Sequence, residues 1–375
     1  MKQVFHHATL YSGDQIFYDY SLQWDGIKIL SFYPSSKAMH HDQGTDLKGK
    51  ILSPAFIDLQ LYGGKGKLFN NQQNLETLKA IHEQNLEGGT TRYMVTLSTS
   101  PRETIFKAID TVREGMKQKL PGLLGLHLEG PFINAEKRGA HFEEWVQTPE
   151  LPLVKEYLEY GKGVIKMMTL APEKISEEVF QYLNDSGIIL TAGHSNANYD
   201  EAISGFNSGI ESVTHLFNAM SQLGSREPGL VGASLDHHSN FASIIPDGIH
   251  VSFHNIRLAK KILGNRLFLI TDSVTESPEG PYKFFKGENC YVNESGTLAG
   301  SSISMLQGVE NCVKKAGISL AEALRMASTY PAKLLREPGI TGTLRPGSLA
   351  DFIIFNSDYK IESVFYEGVS INLEN

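Results

Sequence analysis

The feature that most constrains this chain is an alternation. Through its middle, short β-branched and apolar runs take turns with segments whose apolar residues recur at helical spacing. Strand-like runs fall at 88–96, 123–129, 164–170, 188–194, 212–215, 242–245 and 266–271, and helical patterns at 101–117, 176–184 and 199–205. Strands that alternate with helices build βαβ units on a parallel sheet. About eight such units fit between residues 54 and 335, which favours a closed (β/α)8 barrel. An open, doubly wound sheet is the alternative. It loses its main support because no GxGxxG follows the first strand.

The two ends read differently. Residues 3–10, 15–22 and 26–33 are apolar-rich runs broken by the turn signals SGD, WDG and PSS, and residues 349–355 and 361–366 are strand-like. Neither end alone could bury a core. They are expected to join as one small β-sandwich, so that residues 1–53 with 336–375 form one domain and 54–335 the barrel.

Composition bounds the partners. Lys plus Arg is 34 and Asp plus Glu is 42, a net charge of -8 with no basic run, so nucleic acid is excluded as a partner. No apolar stretch approaches the ~20 residues that span a bilayer, and the opening residues carry no apolar leader. A cytoplasmic protein without a membrane partner is expected. Cys290 and Cys312 form no CxxC and are expected to pack as small apolar groups.

Polar residues stand at the ends of successive strands. LGLHLEGP carries His127 and Glu129, ILTAGHS ends on His194, SVTHLFNAM carries His215 and FLITDSV carries Asp272. In a barrel these ends converge on one mouth. One carboxylate and two imidazoles from three strands would hold a divalent metal with a position left open, and a carboxylate on a later strand would move protons. Spacing alone leaves a plainer reading equally open: hydrogen-bonded core histidines, and carboxylates that cap the following helices.

Longer motifs go further. SPAFIDLQLYGG (53–64), GLHLEGPFIN (125–134), RGAH (138–141), TAGHSNANY (191–199), THLFNAM (214–220), REPGLVG (226–232), DGIH (247–250), ITDSV (270–274) and LAGS (298–301) occur in this order, followed by GTLRPGSLADFIIF (342–355). Over nearly its whole length the chain thereby resembles the N-acetylglucosamine-6-phosphate deacetylases of the amidohydrolase superfamily. The resemblance implies a metal-bearing (β/α)8 barrel with a β-sandwich built from both termini. It implies hydrolysis of the N-acetyl group of N-acetylglucosamine 6-phosphate. Two alternatives stand beside that activity: another N-acetyl amino-sugar phosphate, such as N-acetylgalactosamine 6-phosphate, and an inactive relative that only binds.

Residue by residue, the resemblance implies that Glu129, His194 and His215 bind the metal and that Asp272 is the base that later protonates the leaving amine. His141 and His250 would contact the sugar phosphate, and Asn218 and Ala219 would bind substrate through side chain and backbone. Leu306, Gln307 and the 298–305 loop would line the acetyl side. Arg226 would reach the phosphate in a neighbouring subunit, which implies a homodimer. One divalent metal per subunit is expected, Zn2+ foremost, with Fe2+, Co2+ or Mn2+ as alternatives. The departure lies at Gln60 and Tyr62, where most amidohydrolases place the HxH pair of a second metal. They are read as a vestigial second-metal position, or as residues that hydrogen-bond within the mouth. Ala55 stands where the family usually has Gly. His6, His7, His40, His41, His237, His238 and His254 match no motif and are assigned to surface or loops. His127 has an outer-shell role as one reading.

Overall fold

The computed structural model describes residues 2–38, 43–288, 290–337 and 341–372; His40 and His41 lie outside them. The chain opens with strands β1 (Lys2–Ser12), β2 (Gln15–Asp25), β3 (Lys28–Pro34), β4 (Thr45–Asp46) and β5 (Ile51–Pro54). The barrel then begins with β6 (Phe56–Leu61), a small hairpin of β7 (Gly63–Gly64) and β8 (Lys67–Leu68), and helix α1 (Leu75–Glu87). Strand and helix alternate from there: β9 (Thr90–Ser98), α2 (Arg102–Lys117), β10 (Leu123–Glu129), α3 (Leu151–Tyr160), β11 (Ile165–Leu170), α4 (Glu177–Asp185), β12 (Ile189–Ala192), α5 (Tyr199–Asn207), β13 (Ser212–Val213), α6 (Gly229–Asp236), β14 (Phe241–Ile244), α7 (Phe253–Leu263) and β15 (Leu267–Leu269). A three-stranded sheet of β16 (Phe285–Lys286), β17 (Cys290–Val292) and β18 (Leu298–Ser301) precedes α8 (Met305–Lys314), α9 (Leu320–Ala327) and α10 (Thr329–Leu334). Strands β19 (Phe352–Phe355), β20 (Ile361–Tyr366) and β21 (Val369–Ile371) end the chain.

Eight strands form the barrel sheet in the order β15-β14-β13-β12-β11-β10-β9-β6, and neighbours from β9 to β15 run parallel. The seam closes through Asp272, whose N–H donates to Gln60 O at 3.0 Å, and Tyr62, whose N–H donates to Ser273 O at 2.9 Å. Buried on both faces, these strands are apolar runs rather than alternating ones; β6 and β12 are buried throughout. Short polar side chains start several helices. Ser176, Asn198, Ser252, Ser304 and Ser319 each accept a backbone N–H in the first turn, satisfying donors that the helix leaves free.

The terminal segments form one eight-stranded sheet, ordered β21-β20-β19-β5-β1-β2-β3 with β4 beside β1. Trp24 on β2 and Phe365 on β20 stand four strand steps apart, which in a flat sheet is about 19 Å. Their ring centroids are 5.6 Å apart, so the sheet closes on itself. The expected sandwich is thus made from a single folded sheet. Phe5, Trp24, Phe352 and Phe365 are its centre, with Phe352 stacked on Phe365 at 4.4 Å. The indole N–H of Trp24 donates to Gly368 O at 3.1 Å. Only glycine fits there: φ is +77° and a Cβ on Gly368 would lie 1.8 Å from Gly26 O.

The chain divides into two compact units, Met1–Asp58 with Asn85–Arg92 and Ser304–Asn375, and Leu59–Gln84 with Tyr93–Ile303. The first therefore holds α8, α9 and α10 as well as the terminal sheet, where the sequence division falls at 53 and 336. Among the described residues no helix is long and apolar enough to cross a membrane. Phe352 has no exposed surface, so Phe352→Ala is expected to cost ~3–5 kcal/mol of stability in urea denaturation. A loss below ~1 kcal/mol would show that the aromatic centre does not hold the sheet closed.

Candidate active site and metal centre

Glu129 ends β10. His194, His215 and Asp272 stand just past β12, β13 and β15. All three adopt positive φ, at 47°, 35° and 52°, a conformation that costs ~1–3 kcal/mol per non-glycine residue. Backbone contacts hold them there. Asn134 N–H donates to His194 O at 2.8 Å, and Asp272 O accepts from Ser301 N–H at 2.9 Å. The His215 N–H donates to Ser243 Oγ at 2.8 Å. The turns end the strands early, so β12 and β15 are shorter than their apolar runs.

The ends of β12 and β13 meet at the Glu129 carboxylate that closes β10, which is 2% exposed, and Asp272 lines the same cavity. His194 Nε2 lies 3.3 Å from Glu129 Oε1. His215 Nε2 lies 3.1 Å from the same oxygen and 3.1 Å from His194 Nε2. Gln60 Nε2 donates to Oε1 at 2.7 Å and Tyr62 Oη to Oε2 at 2.6 Å. His141 Nε2 is 3.0 Å from Oε2. The Gln60 and Tyr62 side chains are therefore hydrogen-bond donors to the carboxylate.

These residues fit a divalent ion. Ligand atoms about 2.0–2.1 Å from a tetrahedral metal stand about 3.3–3.4 Å apart, close to the 3.1–3.3 Å among Glu129 Oε1, His194 Nε2 and His215 Nε2. His194 Nδ1 lies 2.9 Å from Lys137 O. It must donate to that carbonyl, which leaves the Nε2 lone pair free for a metal. Glu129, His141 and His194 also converge closely enough to hold an ion. His141, however, faces the carboxylate oxygen that Tyr62 already occupies. Asp272 Oδ1 is buried with no hydrogen-bond partner, as expected of a group that waits for a ligand.

A cavity of about 230 Å3 opens on this cluster. His141, Asn218, Ala219, His250 and Asp272 line it. His250 Nδ1 lies 2.5 Å from Asp247 Oδ2, three residues earlier in the same DGIH motif. Arg226, exposed in the loop before α6, and Leu306, buried in α8, are not among the lining residues. The 298–300 segment is. Tyr282 and Phe284 form an apolar wall that sequence reasoning missed. Tyr282 packs edge-on against Phe142 at 5.0 Å and its hydroxyl donates to Thr99 O at 2.5 Å. The turn that carries it is held by Asn71, whose amide donates to Tyr282 O at 2.6 Å and accepts from Tyr282 N–H at 3.0 Å. No periodic pattern marks this loop. A larger groove of about 1020 Å3 beside Phe106 and Tyr160 holds none of the converging groups.

Charge at the mouth is divided unequally. Burial works to raise the Glu129 carboxyl, but His194, His141 and His215 hold it well below the usual carboxylate range. Burial pushes His141 down to about 4 and Tyr62 well above an ordinary phenol, so Tyr62 stays a neutral donor. Burial carries Asp272 the other way, up to about 6. His127 does not touch the cluster. It bonds Leu59 O and Thr169 Oγ1. His6 and His7 bond Ser21 and Asp19 within the terminal sheet.

Residues 51–371 match the amidohydrolase family, and the chain belongs to it. Among its relatives, an N-acetylglucosamine-6-phosphate deacetylase of Haemophilus influenzae is 35% identical over 380 residues, 98% of this chain and 99% of that protein. An N-acetylgalactosamine-6-phosphate deacetylase of Shewanella sp. (strain ANA-3) is 33% identical over 86% of this chain and 83% of its own. The crystal structure of an N-acetylglucosamine-6-phosphate deacetylase from Pasteurella multocida superposes with a TM-score of 0.93 at 34% identity, covering 98% of this chain and 99% of that one.

The Asp272 shift carries a stability consequence. Its folded carboxyl titrates at about 6 against 3.8 for the ordinary group. The unfolded chain therefore loses this proton first as pH rises, so stability falls between about pH 3.8 and 6 and the full loss is present above that window. In metal-stripped protein, Asp272→Asn is expected to exceed wild type in stability at pH 7.5. The gap should narrow toward pH 4 in urea denaturation with chelator present. Equal stabilities at pH 7.5 would show that the carboxylate is not strained by burial.

Proposed function

We propose that this chain hydrolyses the N-acetyl group of N-acetylglucosamine 6-phosphate to glucosamine 6-phosphate and acetate. The observation that carries the reading is the buried convergence of Glu129, His194 and His215 beside Asp272 in one small cavity. The full-length deacetylase relatives supply the substrate class. A scaffold without activity has no use for four titratable groups gathered out of water.

Glu129, His194 and His215 would hold one divalent ion, with Zn2+ the first choice for this donor set. Such an ion supplies Lewis-acid chemistry: it polarises an amide carbonyl and makes water more acidic. Asp272 takes the proton of the attacking water, and its raised pKa suits a base that works near neutrality. It then gives that proton to the nitrogen as the C–N bond breaks, so acetate and the free amine leave. His141 and His250 contact the sugar phosphate, and Asn218 and Ala219 seat it. Gln60 and Tyr62 both spend their donors on Glu129, which supports one metal rather than two.

We further infer a homodimer in which Arg226 reaches the neighbouring site. Arg226 is exposed and does not line its own cavity, and Leu223, three positions before it, is 56% exposed. A guanidinium suits bidentate contact with phosphate. A cytoplasmic location agrees with a chain whose two cysteines, Cys290 and Cys312, form no disulfide. One observation favours a second substrate: the galactosamine-phosphate deacetylase relative is nearly as similar.

Acetate release tests the reading. N-acetylglucosamine 6-phosphate should be turned over, the unphosphorylated sugar hardly at all, and the galacto epimer more slowly. Faster turnover of the galacto epimer would move the assignment to that substrate. Asp272→Asn should lose turnover by ~100- to 10,000-fold with its metal content unchanged; retained turnover would remove Asp272 as the base. Mixing Arg226→Ala with Asp272→Asn chains should restore one working site per dimer, and no recovery would place the arginine within its own chain.

A further inference from the structure

Beneath the candidate metal ligands lies a hydrogen-bonded chain that none of these steps uses. His127 Nδ1 is 3.1 Å from Leu59 O and its Nε2 is 2.7 Å from Thr169 Oγ1. Thr169 Oγ1 is 2.9 Å from Thr214 Oγ1, which is 2.9 Å from Thr191 Oγ1. All four residues are at most 2% exposed.

The direction of every link follows from one carbonyl. Leu59 O can only accept, so His127 Nδ1 carries the proton. A buried imidazole facing a carbonyl and a hydroxyl is neutral, so Nε2 accepts. Thr169 therefore gives its single hydroxyl proton to His127. Its oxygen accepts from Thr214, and Thr214 in turn accepts from Thr191. Hydroxyl dipoles aligned head to tail reinforce one another.

The chain also spans the relevant strands. His127 stands two positions before Glu129, Thr191 three before His194, and Thr214 one before His215, while Thr169 on β11 joins β10 to the others. The threonines meet only because Gly193 has no side chain. A Cβ there would lie 2.8 Å from Thr169 Cγ2 and 3.0 Å from Thr214 Cβ.

We propose that His127 is a positioning residue: through this one-way threonine chain it fixes the relative placement of the strand ends that carry Glu129, His194 and His215. The inference rests on those three residues being the metal ligands. Thr169→Val keeps the shape of the side chain and cuts the chain, leaving buried His127 Nε2 without its donor and the Thr214 hydroxyl proton without the acceptor it has in Thr169. Thr191→Val removes only the first donor and leaves the remaining links intact.

The test is a metal titration of the full-length protein with Zn2+ and Co2+, read by competition and by the visible Co2+ spectrum. Thr169→Val is expected to weaken binding ~10- to 100-fold and to alter the Co2+ bands. Thr169→Ser should restore both, and Thr191→Val should do less than Thr169→Val. Wild-type protein that binds neither ion would overturn the ligand assignment itself. Wild-type-like affinity and spectrum in Thr169→Val would overturn the positioning role alone, as would failure of Thr169→Ser to restore them. Long-range 1H–15N correlation spectra of wild type give a second measurement that needs no variant. The proton of His127 is expected on Nδ1, and a proton on Nε2 would overturn the proposal.

Discussion

Much of this structure follows from the need to satisfy one buried carboxylate. Glu129 sits out of water, where an unpaired charge costs several kcal/mol. Its partners come from around the barrel: Gln60 and Tyr62 at the first strand, His141 from the loop after β10, His194 past β12 and His215 past β13. They can all reach it only if the sheet closes into a ring with a fixed register. The seam that closes it, Asp272 N–H to Gln60 O, also ties the candidate base to a donor of that carboxylate. The same backbone turns that cost energy at His194, His215 and Asp272 aim the three side chains inward.

Two carboxylates share the mouth and are pushed in opposite directions. Three imidazoles keep Glu129 ionised, while burial with fewer partners keeps the proton on Asp272 until near neutrality. Environments that separate the pKa values of neighbouring acids divide their roles: one stays a fixed anion, the other can take and return a proton. Tyr62 adds to the contrast. Burial and the nearby carboxylates hold its phenol protonated, so at this position the barrel presents a neutral donor where an HxH pair would present lone pairs.

The barrel could be read from the chain because its information is local and periodic. The expected strand at 123–129 is β10 to the residue, and the helix expected at 101–117 is α2 within one residue. The strand expected at 188–194 stops at Ala192, because His194 leaves extended geometry, and nothing in a run of apolar residues announces that turn. The site was legible wherever a motif carries its own partner, as DGIH does with Asp247 and His250. It was illegible where the partner is remote. Tyr282 owes its place to Asn71, more than 200 positions earlier. The closure of the terminal sheet depends on Trp24 meeting Phe365, and the role of His127 depends on three threonines scattered through the sequence.

The terminal sheet has a consequence for how the chain comes to be folded. Strand β5 pairs with β19, so that Leu52 faces Ile354, some 300 positions later. At a synthesis rate of ~5–20 residues per second, the first strands wait roughly 15–60 s for the partner that completes their sheet. Throughout that interval the apolar face around Phe5 and Trp24 has no Phe352 or Phe365 to cover it. The barrel strands emerge during this wait. The vulnerable moment of this protein's life is therefore its own translation, and the last forty residues act as a closing clasp whose arrival ends it.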